Sequence, residues 1–271
     1  MNILASSMKI RPRNRTSKRK ERSPLTFRQP EEKEALVVTL NRMGYMLSQP
    51  EKYNQAFIDF APFAPGPVLD IGAAYGLATI PALEKGAFVI ANDLDERHLK
   101  ILKNKLPPSL RKRLMLKPGR MPNGLEFEEN SLGAVLASRV LNFIAPEELL
   151  PSFEKIFRWL RPGGKFFFLG ATPYMGNFQR FIPLYLKRKK EGQKWPGLLE
   201  NIPFYAPNRA CDLPQFIHLL DEDDLRQLST KVGLIIEEMS YSPAIEEHPQ
   251  EMKFDGREQI GFIAFKPEEV L

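Results

Sequence analysis

From residue 68 onward, short apolar runs alternate with stretches of helical apolar periodicity. Val68, Leu69 and Ile71 predict a short buried strand, and Gly72 to Gly76 predict a tight turn. Residues 77–85 then predict a helix, closed by Gly86. Residues 87–91 predict a second strand, followed by a helix with Leu99, Ile101 and Leu102 facing inward. Residues 112–118 and 131–137 give a third and a fourth strand. Pro146 starts a strong helix with Leu149, Leu150, Phe153, Ile156, Phe157 and Leu160 on one face. Arg161-Pro-Gly-Gly164 stops it, and residues 165–170 form the fifth strand. Strands alternating with helices argue for a parallel sheet covered on both faces.

The two ends of the chain depart from this alternation. Pro30 opens a helical pattern with Leu36, Val37, Leu40, Met43 and Leu47 on one face. A second helix after Pro50 buries Tyr53, Ala56, Phe57 and Phe60, and residues 61–67 link it to the first strand. Asp221-Glu-Asp-Asp224 is an acidic helix start, continued by Leu225, Leu228 and Val232 and capped by Gly233. Residues 234–239 and 259–265 are the last two strands, an antiparallel pair. Between the fifth strand and the acidic helix, residues 171–212 are rich in aromatics and prolines and carry Lys187-Arg-Lys-Lys190. They read as a lid inserted after the fifth strand, its basic rim favouring an acidic ligand or an anionic membrane. Phe178, Phe181, Ile182, Leu184, Tyr185 and Leu186 suggest an interfacial helix there.

Composition changes the picture at one place. The chain has 271 residues and a formal charge of +6. Residues 9–23 hold eight basic residues and one acid, so the remainder is close to neutral. Residues 1–28 are therefore expected to be a disordered basic tail, available for weak contact with nucleic acid or an anionic membrane surface. Residues 29–271 are expected to form the folded domain. No apolar run is long enough to span a membrane. Cys211 is the single cysteine, which fits a reducing, cytoplasmic setting. With three histidines besides, a zinc site lacks ligands, and no metal is expected.

The strand–turn–helix at 68–85 is where open parallel sheets bind nucleotide-like ligands, with Asp70 at the strand end facing the crevice. A dinucleotide fingerprint needs G-x-G-x-x-G, whereas the spacing here is G-x-x-x-G. At the end of the second strand stand Asn92-Asp93-Leu94-Asp95. Asp93 follows Asp70 by 23 positions, near the spacing of about 20 at which a carboxylate meets ribose hydroxyls. Asp95, just before Glu96, is placed to cap the next helix.

The first turn resembles motif one of the class I S-adenosylmethionine-dependent methyltransferases, D/E-x-G-x-G-x-G, with Ala74 at the middle glycine. The Leu160-Arg-Pro-Gly-Gly164 turn before an apolar strand resembles the L-[KR]-P-G-G of small-molecule members. The resemblance covers residues 36–266. It implies an α/β fold with a doubly wound, mostly parallel seven-stranded Rossmann-like sheet, an antiparallel last strand and helices on both faces. It implies S-adenosylmethionine held by Asp70, Gly72, Ala73, Ala74, Gly76, Asp93, Leu94, Met121 and Ser138. Tyr45 and Tyr53, in the helices that cover the cofactor in that family, are placed either to touch it or, more commonly, to pack. Residues 171–212 lie where the family places its substrate-recognition element, so that their basic rim would favour an acidic acceptor. Two positions depart from the pattern: Arg120 replaces the acid that meets adenine, and Gly133 replaces an aspartate in the fourth strand.

The implied reaction is methyl transfer to oxygen or nitrogen of a small-molecule acceptor. His218, Tyr174 and Arg139 are the catalytic candidates, with Asn142 and Tyr205 as further polar groups. An RNA methyltransferase tethered by the tail is the enzymatic rival, although no N/D-P-P-[YF] motif follows the fourth strand. A non-catalytic S-adenosylmethionine-binding protein is the other. Acceptor identity and oligomeric state are not legible in the sequence.

Overall fold

A computed structural model describes residues 36–41, 43–207, 213–246 and 248–268. The basic stretch 1–28, the start of the helix expected from Pro30, and Cys211 lie outside the described residues.

The N-terminal helix is replaced by a hairpin. Leu36–Val38 (β1) pairs antiparallel with Tyr45–Leu47 (β2), setting Val37 against Met46. Gly44 turns the chain at φ +121°, and Thr39 Oγ1 donates to its carbonyl at 3.0 Å. Val37 and Val38 are β-branched and favour the extended backbone. The second expected helix forms as Lys52–Phe60 (α1), with Tyr53 and Phe57 fully buried.

The body then alternates: Val68–Ile71 (β3), Thr79–Glu84 (α2), Val89–Asp93 (β4), Glu96–Lys105 (α3), the single turn Pro108–Arg111 (α4) and Leu114–Pro118 (β5). Leu132–Ser138 (β6), Pro146–Trp159 (α5) and Leu160–Ala171 (β7) follow. The insertion contains Ile182–Lys190 (α6), Leu198–Glu200 (β8) and Ile202–Tyr205 (α7), and it extends past its expected end at residue 212 because Phe216–His218 (β9) pairs with β8. Glu222–Val232 (α8), Ile235–Ser242 (β10) and Gln259–Phe265 (β11) close the chain.

One seven-stranded sheet has the order β10-β11-β7-β6-β3-β4-β5. Only β11 runs against the rest, antiparallel to both β7 and β10. The pleat sorts the core. Leu69, Ile71, Ile90 and Val135 join one apolar cluster with Phe153 and Leu225, while Val68, Val89, Ala91 and Ala134 join another with Phe57, Leu83 and Leu99. Strand β7 begins five residues earlier than expected. Leu160 already pairs with Leu132, and Arg161 to Gly164 loop out before Lys165 pairs with Ala134. A side chain at Gly133 would place its Cβ 2.7 Å from the Gly66 nitrogen, so the usual aspartate has no room there.

The insertion has a core of its own, including Met175, Phe178, Phe181, Tyr185 and Ile217. Of the face expected to meet a membrane, Phe178, Phe181 and Tyr185 are used internally while Leu186 stays half exposed, and Pro183 sits harmlessly in the first turn of α6. Among the described residues, no helix is long and apolar enough to cross a membrane.

Candidate functional site

The carboxyl ends of β3, β4, β6 and β7 open into one cleft of about 1300 Å³, including its open mouth. Ile71 and Gly72, then Asn92 to Leu94, then Ser138 to Val140, and Ala171 line it from the sheet. The β1–β2 hairpin contributes Thr39, Asn41, Met43 and Tyr45, and the insertion contributes Met175, Phe178 and Ile217. Neighbouring parallel strands deliver their ends to one crevice because the chain order reverses between β3 and β6.

The β3–α2 turn is shaped by residues with positive φ. Gly72 (φ +70°) leaves no space for a side chain, since its Cβ would lie 2.3 Å from Val140 Cγ2. Ala74 holds φ +45°, a conformation that suits glycine. Its N–H donates to Asp93 Oδ2 at 3.1 Å, and the Asp95 N–H donates to Asp93 Oδ1 at 2.8 Å. Asp93 is 5% exposed and lines the cleft, with lone pairs remaining on both oxygens. Asp95 caps α3 by accepting from the Arg97 N–H at 3.0 Å, while Asp93 lines the cleft. Half-exposed Leu94 and buried Met121 stand on the cleft wall beside Asp93.

Asp70 does not face this cleft. Alternation along β3 turns its side chain to the α2 side, where Thr79 Oγ1 donates to its Oδ2 at 2.7 Å. Burial pushes the Asp70 carboxyl up to about 7, with the Thr79 hydroxyl pulling the other way and the Asp93 charge adding to the rise. It borders a smaller adjoining cavity together with Asn54 and Ala73. Ser138 and Arg139 line both cavities.

Of the catalytic candidates, only Arg139 reaches the cleft. Its guanidinium donates to Glu51 and to Gln259, whose own amide donates to Glu51 at 2.7 Å. His218 is fully buried, its ring edge-on to Trp195 at 5.0 Å, with both ring nitrogens unpartnered. Burial pushes it down to about 4, so it is neutral near pH 7. Tyr174 lies away from the lining, its ring 3.6 Å beneath the Arg257 guanidinium. Asn142 lines the cleft, but its amide is occupied, bonding Ala171 through both ends and the His218 carbonyl. Tyr53 packs instead of touching the cleft, and its hydroxyl bonds Ser240 at 2.7 Å.

Two lining residues, Asn92 and His98, carry no signal of that place in the sequence. Asn92 donates to the Lys117 and Gly119 carbonyls at 2.7 and 2.9 Å, fixing the β5 end against β4. His98 sits fully buried behind Asp93. Arg120, standing where an acid was expected, pairs with Glu148. Among the described residues, no cluster of potential ligands could hold a metal ion.

Residues 68–164 match the family of methyltransferase domains. Over those residues the chain is similar to that family. An uncharacterized methyltransferase of Mycobacterium bovis is 30% identical over 122 residues, 45% of this chain and 46% of the relative. The chain thus matches about half the length of such curated relatives. The methyltransferase fold also appears in an S-adenosylmethionine-dependent methyltransferase of Methanosarcina mazei, at TM-score 0.56 and 18% identity, covering 75% of this chain and 93% of that one. A glycopeptide N-methyltransferase solved with S-adenosylmethionine aligns at TM-score 0.51 and 18% identity, covering 79% and 87%.

Proposed function

We propose that this methyltransferase domain binds S-adenosylmethionine along the β3 and β4 ends and transfers its methyl group to a small, uncharged, largely apolar acceptor. Asp93 supports the cofactor half of the reading. Backbone N–H groups hold both of its oxygens at the cleft, where two ribose hydroxyls would reach them. Gly72, Ala73, Ala74 and Gly76 give the methionine half a close backbone approach, with Asp70 behind them shaping the turn through Thr79. Leu94 and Met121 offer apolar faces for adenine, and Ser138 borders the floor.

The observation that carries the acceptor half is the state of the cations on the lining. Arg120 is paired with Glu148 and Arg139 with Glu51, so among the described lining residues neither is available to an anionic acceptor. The insertion side presents Phe143, Met175, Phe178, Ile217 and Met252. The Lys187–Lys190 rim is not part of the lining; Lys189 pairs with Asp221 and Asp223, and Lys187 with Glu191. This argues against the acidic acceptor expected from sequence, and equally against RNA.

When bound, the cofactor's sulfonium supplies an already activated methyl group. The chain's own contribution is alignment and exclusion of water. The hairpin and the insertion wall the cleft from two sides, and the paired Arg139 fixes the end of β6 beside it. Neither His218 nor Tyr174 serves as a base from its present position. The test is transfer of labelled methyl from S-adenosylmethionine to panels of neutral aromatic alcohols or amines, aromatic carboxylates, and RNA. Turnover confined to the neutral panel is expected; turnover confined to carboxylates or RNA overturns the acceptor class.

A further inference from the structure

His98 stands between the cleft and the hairpin that covers it. On one side its Nδ1 lies 3.1 Å from Asp93 Oδ1, off the line of a formed hydrogen bond. On the other, its Nε2 accepts the Leu40 backbone N–H at 3.0 Å. A neutral imidazole that accepts at Nε2 carries its proton on Nδ1, so that proton faces the Asp93 carboxylate. Tyr75, inside the glycine turn, packs edge-on to the same ring at 5.1 Å and donates its hydroxyl to the Val38 carbonyl at 3.2 Å. Two backbone groups of the hairpin, the Val38 carbonyl and the Leu40 N–H, are therefore tied to Tyr75 of the glycine turn and to His98 beside Asp93. The His98 ring is completely buried, which leaves it no water to substitute for either contact.

We infer that His98 is a positioning residue that couples occupancy of Asp93 to closure of the β1–β2 hairpin. This rests on the cofactor reading above. Ribose hydroxyls bound to Asp93 fix the carboxylate, and Oδ1 then aligns with the waiting Nδ1–H. The ordered ring holds the Leu40 N–H more firmly, and the hairpin closes over the cleft. Coupling between sites is reciprocal, so a hairpin held shut tightens cofactor binding through the same ring.

The side-chain amides separate the two contacts. His98→Asn keeps a donor near the Nδ1 position and loses the acceptor for Leu40. His98→Gln keeps an acceptor near Nε2 and loses the donor to Asp93. The experiment is hydrogen exchange of the hairpin in the full chain, with and without saturating S-adenosylhomocysteine, using β6 amides as the internal reference for global stability. In the wild type, ligand should slow hairpin exchange about fivefold or more. Both variants should lose that ligand-dependent change while β6 keeps its protection. Tyr75→Phe, which leaves His98 in place, should retain it. Equal ligand-dependent protection of the hairpin in wild type and His98→Asn overturns the inference. So does a loss that extends equally to β6, because the role is then structural only. Absence of S-adenosylhomocysteine binding to the wild type overturns the cofactor reading first, and the coupling with it.

Discussion

The Ala74 N–H meets the Asp93 carboxylate at 3.1 Å, joining the β3–α2 turn to the end of β4 while Ala74 holds φ +45°. The contact explains why the turn accepts alanine where the resembling motif has glycine. A charge-assisted bond to a buried carboxylate offsets a backbone conformation that costs an L-residue roughly 1–2 kcal/mol.

Ala74→Gly removes that strain and adds chain entropy to the unfolded state, which costs about 0.5–1 kcal/mol. The first effect is larger, so the variant should be more stable by about 0.5–1 kcal/mol. Ala74→Val, β-branched in the same conformation, should be destabilised. Denaturant melts of the three proteins check the order, and a destabilised glycine variant contradicts it.

Asp70 predicts a pH dependence. Its folded value near 7 lies above the ordinary carboxylate value of 3.8. Between about pH 4 and 7 the folded protein therefore keeps a proton that the unfolded chain releases, and stability from this group falls as pH rises through that window. Asp70→Asn preserves an acceptor for Thr79 and removes the titration. Its stability relative to wild type should improve from pH 4 to pH 8, by about 4 kcal/mol at most. A difference that stays flat with pH shows that Asp70 is charged at no cost.

The insertion is anchored to the body at Asp221, which accepts from the Tyr185 hydroxyl and from Lys189 while also capping α8. Tyr185 is itself fully buried, so Tyr185→Phe leaves part of Asp221 unsatisfied and should cost about 1–2 kcal/mol. We expect trypsin cleavage near Lys187 to Lys190 to accelerate in that variant and to be unaffected by S-adenosylhomocysteine. Ligand-dependent cleavage in the wild type would mean that the insertion, as well as the hairpin, moves.

What the sequence made legible was local. The β3–α2 turn and the helix ending at Trp159 follow from glycine spacing and apolar period, whereas the reversed last strand rests on the direct connection and the family resemblance. The hairpin escaped because Leu36, Val37, Leu40, Met43 and Leu47 fit a helical face, and the decisive Gly44 conformation leaves no period. The place of Asp70 at the strand end points to the cleft, but Leu69 and Ile71 occupy that face, so alternation turns the Asp70 side chain to α2. The pairings of His98 and Arg139 leave no local signal for a different reason. Their partners lie far off in sequence, Leu40 at a separation of 58 residues and Glu51 at 88, and only the closed sheet brings them together.

The central claim is that Asp93 anchors S-adenosylmethionine in the cleft. Calorimetric titration of S-adenosylhomocysteine into wild type, Asp93→Ala and Asp95→Ala tests it most directly. Loss of the Asp93 contacts should cost about 1.5–3 kcal/mol, a roughly tenfold to hundredfold weaker affinity, whereas Asp95→Ala should stay close to wild type. Equal affinities for the two variants, or no binding by the wild type, would contradict the account.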